Sequence, residues 1–253
     1  ISTFERALEL EPSFYEAWHY RGVALAALGY WDKAVVSYTK AVELDPTFHD
    51  AWYSMGCALD RAGRYLEALA SFDRAVATKL DDYDSWCARG KVLASLGKYE
   101  EAIANYARAI QIKPAAAEAY YDRGIALMNL RRDLEAIAAY DSATSANPQL
   151  YAAHYNRGIV LARQGRYADA VSAYDRAIAL NDRDPEIWNN RGVALCNCER
   201  FTEAIAAYDR ALEIKPDLYQ AWNNRGHALD ILGQYQEAII SYNKALEIKP
   251  DYK

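Results

Sequence analysis

The sequence has few glycines and no long apolar segment, and both shortages limit what the protein can be. Glycine accounts for only 12 of the 253 residues. No apolar run approaches the roughly 18–20 residues that a membrane-spanning helix needs, and the N-terminus shows no signal peptide. We therefore expect a protein that does not insert into a membrane.

Positive charge and patterned cysteines are also scarce. Lys and Arg number 29 against 35 Asp and Glu, which gives a net charge of −6. Such a chain lacks the basic surface that nucleic-acid backbones require, so we expect no nucleic-acid partner. The cysteines Cys57, Cys87, Cys196 and Cys198 follow neither a disulfide framework nor a CxxC zinc motif. Reduced thiols and the lack of a visible signal peptide predict a cytoplasmic location. A redox role for Cys196 and Cys198 stays open.

The residues that are present recur with a period of 34. Every 34th residue from Gly22 is glycine, from Leu25 leucine, and from Ala34 and from Ala7 alanine, and no insertion interrupts the register. The remaining glycines share one further column: Gly29, Gly63, Gly97, Gly165 and Gly233. All glycines thus belong to the repeat, and none remains for a loop that cradles phosphate.

Each 34-residue unit is predicted to form two helices. In the first complete unit, Trp18, Gly22 and Leu25 lie at the i, i+4, i+7 spacing of one helical face. Gly29 interrupts this helix, and a second segment with helical periodicity follows. Pro46 ends the unit, because proline lacks the amide donor that a continuing helix needs.

This combination of Trp, Gly and Leu, then Ala, Tyr and Ala, then Pro resembles the tetratricopeptide repeat family. The resemblance implies an all-α fold, a right-handed superhelical solenoid of antiparallel helix pairs whose first helices line a concave groove. It covers seven tandem units, expected to form one continuous domain: residues 15–48, 49–82, 83–116, 117–150, 151–184, 185–218 and 219–252. Residues 1–14 are predicted to be the second helix of an incomplete N-terminal repeat.

Arginine stands directly before the first glycine column in most units, where the family usually has an apolar residue. An acid lies 16 residues upstream of five of these arginines: Glu5–Arg21, Asp73–Arg89, Asp141–Arg157, Asp175–Arg191 and Asp209–Arg225. Both members are missing together at Thr39–Met55, and only Ala107–Arg123 breaks the rule. We predict ion pairs that join the second helix of one unit to the first helix of the next. The alternative is that both columns are merely solvated.

The two positions after the tryptophan column, which we call the inner positions, should face the groove. In the later units they are rich in asparagine: Asn156, Asn189, Asn190, Asn223 and Asn224. Asn129 and Asn197 lie further along the first helices. Because an amide both donates and accepts hydrogen bonds, such a row is suited to hold the backbone of an extended peptide. The alternative is that asparagine only keeps an exposed helix face polar.

The other groove candidates are Tyr53, Tyr121 and Tyr155, with Arg163 as an inward-facing cation. The N-terminal half of the predicted groove is more aromatic and more acidic than the C-terminal half. This composition favours a partner segment with basic or apolar side chains.

No set of residues suggests catalysis, a metal site or a cofactor, since the four histidines fall in four different units. We therefore predict a non-enzymatic scaffold or adaptor that binds a protein or peptide in its groove. Two alternatives stay open. One is a regulatory or targeting part of a larger enzyme. The other is a structural module that associates end to end through terminal repeats that lack polar caps.

Overall fold

The computed structural model describes residues 1–251, with the backbone alone for residue 2; the last residue of the predicted seventh unit, 252, lies outside this range. The described chain is helical and contains no strand. Its helices are α1 Ser2–Leu10, α2 Tyr15–Ala27, α3 Trp31–Leu44, α4 His49–Arg61, α5 Tyr65–Thr78, α6 Tyr83–Ser95, α7 Tyr99–Ile112, α8 Ala117–Asn129, α9 Asp133–Ala146, α10 Tyr151–Arg163, α11 Tyr167–Leu180, α12 Pro185–Asn197, α13 Phe201–Ile214, α14 Tyr219–Ile231 and α15 Tyr235–Ile248.

The chain divides into two compact units, Ile1–Leu130 and Arg131–Lys253. In the first unit every helix from α1 to α8 packs against the next one along the chain, and α2, α4, α6 and α8 also lie side by side. In the second unit α9 to α15 pack in the same sequential way, with α10, α12 and α14 side by side. Each unit is therefore an all-α repeat solenoid in which the first helices of the repeats form one continuous face, the inner face.

The helices of a repeat approach closely because a glycine on the first helix faces an aromatic ring on the second. A Cβ atom added to Gly22 would lie 2.6 Å from the ring of Tyr38. Tyr38 is almost fully buried, together with the alanines of the second-helix columns such as Ala34 and Ala41. A side chain larger than hydrogen at Gly22 would force the ring or the helix to move.

The tryptophan column stabilises the turn between repeats. Each indole is half-buried, and its N–H donates to the backbone carbonyl six residues earlier, as Trp52 does to Pro46 at 2.9 Å. The bond persists where proline is replaced, since Trp86 donates to Leu80 at 3.0 Å. His154 takes the same place, with Nε2 3.2 Å from the carbonyl oxygen of Pro148.

The turn inside each repeat requires a left-handed residue. Five glycines there have φ between +72° and +77°. The next amide donates to the carbonyl of the invariant leucine, as Arg166 does to Leu161 at 3.0 Å, which is the six-residue hydrogen bond of a Schellman motif. Glu199 keeps the same backbone at φ 60° although it is not glycine, and Arg200 still donates to Leu195 at 3.0 Å.

We expect Glu199→Gly to stabilise the second unit. A non-glycine residue in the left-handed region costs about 1 kcal/mol, which the substitution removes. The reverse change, Gly165→Glu, should lower stability by about the same amount at an equivalent turn. Urea unfolding followed by circular dichroism measures both. A lower midpoint for Glu199→Gly than for the parent protein would contradict the interpretation.

Candidate functional site

The arginine column meets the acids 16 residues upstream within each unit. In the first unit Arg21 Nη2 lies 3.3 Å from Glu5, and Arg89 Nε lies 2.6 Å from Asp73. In the second unit three arginines donate from Nε to Oδ1 of an aspartate on the preceding second helix: Arg157 to Asp141 at 2.5 Å, Arg191 to Asp175 at 2.6 Å and Arg225 to Asp209 at 2.6 Å. Because each acid lies on the second helix of one repeat and each arginine on the first helix of the next, these pairs cross the joint between repeats.

The same arginines also bond forward, which the sequence reading did not anticipate. Arg21 donates to Ser37 Oγ at 2.7 Å, and Arg225 donates to Ser241 Oγ at 2.8 Å. Arg89 donates to Asn105 Oδ1 at 2.9 Å. Each acceptor lies 16 residues downstream, on the second helix of the arginine's own repeat. One guanidinium therefore links three consecutive helices.

The two irregular pairs behave differently from each other. Where both charges are absent, Thr39 Oγ1 lies 3.6 Å from the sulfur of Met55, so an uncharged contact replaces the ion pair. Arg123 keeps its guanidinium, but alanine stands at position 107 in place of the acid. Its Nε is buried and has no hydrogen-bond partner among the described residues. Arg123 is thus an arginine whose carboxylate is missing.

Restoring that carboxylate should stabilise the first unit. Aspartate has a lower helix propensity than alanine by about 0.5–0.7 kcal/mol, so the informative comparison is Ala107→Asp with Ala107→Asn. We expect the aspartate variant to be more stable than the asparagine variant by about 1 kcal/mol in urea unfolding, because only it offers a charged acceptor to Arg123.

The control for this comparison is the same pair of substitutions in an Arg123→Met background. There the difference between aspartate and asparagine should vanish. A difference of the same size in both backgrounds would show that the carboxylate does not act through Arg123.

The inner face of the second unit carries a hydrogen-bonded row of amides. Asn190 on α12 donates from Nδ2 to the hydroxyl of Tyr155 on α10 at 2.9 Å. One repeat later, Asn224 on α14 donates to Oδ1 of Asn189 at 3.1 Å. Burial raises the pKa of Tyr155 to about 12, so its hydroxyl stays protonated near neutral pH. Asn189 is only 6% exposed and therefore orients its neighbour instead of facing solvent.

The other predicted inner-face residues occupy several environments. Asn223 on α14 and Asn156 on α10 are half-buried, and so is Tyr121 on α8 in the first unit. The side-chain amides of Asn129 and Asn197 donate to carbonyls of their own helices, those of Ile125 at 2.9 Å and Val193 at 2.8 Å. These last two are exposed but already bonded within their helices.

Arg163 differs from its predicted role as a cation available to a ligand. It lies at the end of α10 and forms an ion pair with Asp133, donating from Nε at 2.9 Å. Asp133 stands where the other repeats have an aromatic residue, and it is buried. Its hydrogen bond with Arg163 holds the pKa of this carboxyl below its usual range. The aspartate needs the cation because a buried charge without a partner is costly.

Removing this partner should destabilise the second unit. We expect Arg163→Met to lower the free energy of unfolding by about 2–3 kcal/mol, because the buried Asp133 carboxylate loses its main partner. The matched control is Arg166→Met, which breaks an exposed pair with Asp169 and should cost about 0.5 kcal/mol or less. Thermal and urea unfolding compare the two. Equal losses would contradict the assignment.

A pocket of about 490 Å³ lies on the inner face of the first unit, and Tyr53 forms part of its wall. Two of the cysteines, Cys57 and Cys87, line it as well. Burial raises the pKa of both thiols, so they stay protonated. Among residues 1–251, no group of three or more His, Cys, Asp and Glu side chains is placed to hold a metal ion. Within the same range no helix is long and apolar enough to cross a membrane.

Family models of the tetratricopeptide repeat match most of the sequence: residues 15–48, 37–70, 90–130, 121–185, 155–219 and 219–252. Residues 1–28 also match a model of the protein prenyltransferase alpha subunit repeat. No curated protein matches the sequence.

Several solved structures are similar. YrrB, described as a tetratricopeptide protein with an unusual peptide-binding site, is 26% identical, with a TM-score of 0.66 over 72% of this chain and 93% of YrrB. MamA is 25% identical, with a TM-score of 0.62 over 64% of this chain and 94% of MamA. A tetratricopeptide repeat protein from Parabacteroides merdae is 19% identical, with a TM-score of 0.69 over 93% of both chains, and this likeness concerns the fold alone.

Proposed function

The chain belongs to the tetratricopeptide repeat family, and from this premise we propose that the inner face of its second unit binds a segment of a partner protein in extended form. Membership in this family supports a protein-interaction scaffold in general, and proteins of this fold are typically not catalysts. YrrB, which has a peptide-binding site, is similar over 72% of the chain. The amide row on α10, α12 and α14 is the observation that carries the finer proposal.

The amides are held in position before any ligand arrives. Asn190 and Asn224 each use one side-chain N–H in a bond to the preceding first helix, at 2.9 Å and 3.1 Å. An asparagine side chain has two N–H donors and one carbonyl with two lone pairs. Each therefore keeps donor and acceptor capacity for a ligand while its rotamer is fixed, which lowers the entropic cost of binding.

The spacing of the row suits a peptide backbone. Packed helices lie roughly 8–10 Å apart, and an extended chain advances about 3.3 Å per residue. One repeat therefore corresponds to about three residues of an extended ligand. Amides at this spacing would bond every third peptide group and leave the ligand side chains largely unread, so recognition by this row is tolerant of sequence.

The proposal is tested with peptides selected from a random displayed library against the purified protein. We expect Asn190→Ala combined with Asn224→Ala to weaken their binding about ten- to thirtyfold, since two hydrogen bonds worth about 1 kcal/mol each are lost. Isothermal titration measures the affinity, and circular dichroism shows whether helix content is retained.

The control is Gln236→Ala combined with Asn243→Ala, which removes two exposed amides from α15. Affinity should not change in this variant. If the Asn190 and Asn224 variant binds as tightly as the parent protein, the amide row is not the peptide site.

A further inference from the structure

The pocket on the inner face of the first unit exists because one repeat has small side chains at its inner positions. Residues 87 and 88 on α6 are cysteine and alanine, whereas other repeats have tyrosine, histidine or asparagine at one or both of these positions. The space that larger side chains would fill is left open, with Tyr53 on α4 and Asp122 on α8 at its sides. The pocket is therefore a local feature of this repeat.

The pocket wall carries an excess of negative charge. Its four carboxylates face two cations, Arg61 and Lys91. Lys91 lies 3.4 Å from Asp122 and offsets that carboxylate. Asp60, Asp84 and Glu118 are then opposed by a single arginine, which leaves an excess of two negative charges.

The remaining wall is aromatic and neutral. The rings of Tyr53 and Tyr83 line the pocket beside the protonated thiols of Cys57 and Cys87. A tyrosine face attracts a planar cation, and arginine benefits more than lysine because its guanidinium stacks on rings and donates to several carboxylate oxygens at once. Rings and carboxylates together complement a guanidinium better than an anion or a purely apolar group.

We infer that this pocket receives an arginine side chain of a bound protein segment, with Asp84 and Glu118 as the carboxylates that recognise it. The inference extends the proposed peptide-binding function, because it names a side chain that the first unit selects. It uses none of the asparagines of the second unit, so the two ideas can fail independently.

The test uses two short alanine-rich peptides that differ in one central residue, arginine or citrulline. Citrulline has nearly the same shape but no charge. We expect the arginine peptide to bind about tenfold more tightly in an NMR titration of the full chain, with shifts at the pocket residues, since charge-assisted hydrogen bonds distinguish the two. Equal affinity for the two peptides would overturn the inference.

Two variants locate the effect. Asp84→Asn combined with Glu118→Gln should remove most of the preference for arginine and leave citrulline binding unchanged. Ala88→Leu should also remove it, by filling the pocket without changing the charge. A preference that persists in either variant would mean that the arginine does not enter this pocket.

The control for general electrostatic attraction is Glu11→Gln combined with Asp217→Asn, which removes two exposed charges from turns between repeats. This variant should keep the preference for arginine, and its loss here would contradict a local site. The Asn190 and Asn224 variant separates the two proposals. A retained arginine preference with no effect of that variant supports the pocket and argues against the amide row, whereas an effect of that variant on both peptides alike, without any arginine preference, does the reverse.

Discussion

The contact between a glycine on the first helix and an aromatic ring on the second sets the geometry of each repeat. In the pairs that the structure describes, a Cβ atom on the glycine would lie 2.5–2.7 Å from the ring. The ring lies directly on the helix backbone, so it fixes how closely the two helices approach. Because the pair recurs every 34 residues, the same side-chain positions face inward in successive repeats. The amide row and the acidic pocket both depend on this regular placement.

The arginine column adds orientation more than stability. The acids of these pairs remain about half exposed, between 46% and 51%. Exposed or partly exposed ion pairs contribute about 0–1 kcal/mol each, so burial of the aromatic and alanine columns must supply most of the folding energy. An arginine that also donates to Ser37 or Ser241 contacts three consecutive helices. Such a link restricts the relative rotation of neighbouring repeats even where its net free energy is small.

The repeat family and the all-α repeat solenoid were predictable from sequence and are confirmed, because the packing columns are periodic and periodicity is visible in one dimension. The forward bonds to Ser37, Asn105 and Ser241 could have been found from their own 16-residue offset, but serine also occurs at solvated positions. The partner of Arg163 was not predictable. It depends on a single departure from the pattern, Asp133 in place of an aromatic residue, which has no counterpart in the other repeats.

The pocket was missed for a related reason: it is made by side chains that are small. Cys87 and Ala88 show no motif, and their effect appears only when the neighbouring first helices stand beside them. The inner positions are not needed for packing the repeats, so they are free to differ between repeats while the glycine, leucine and alanine columns stay fixed. Amides in the second unit suit groups that every peptide shares, whereas rings and carboxylates in the first suit one kind of side chain. Variation at these positions therefore changes what is bound without changing the fold that presents it.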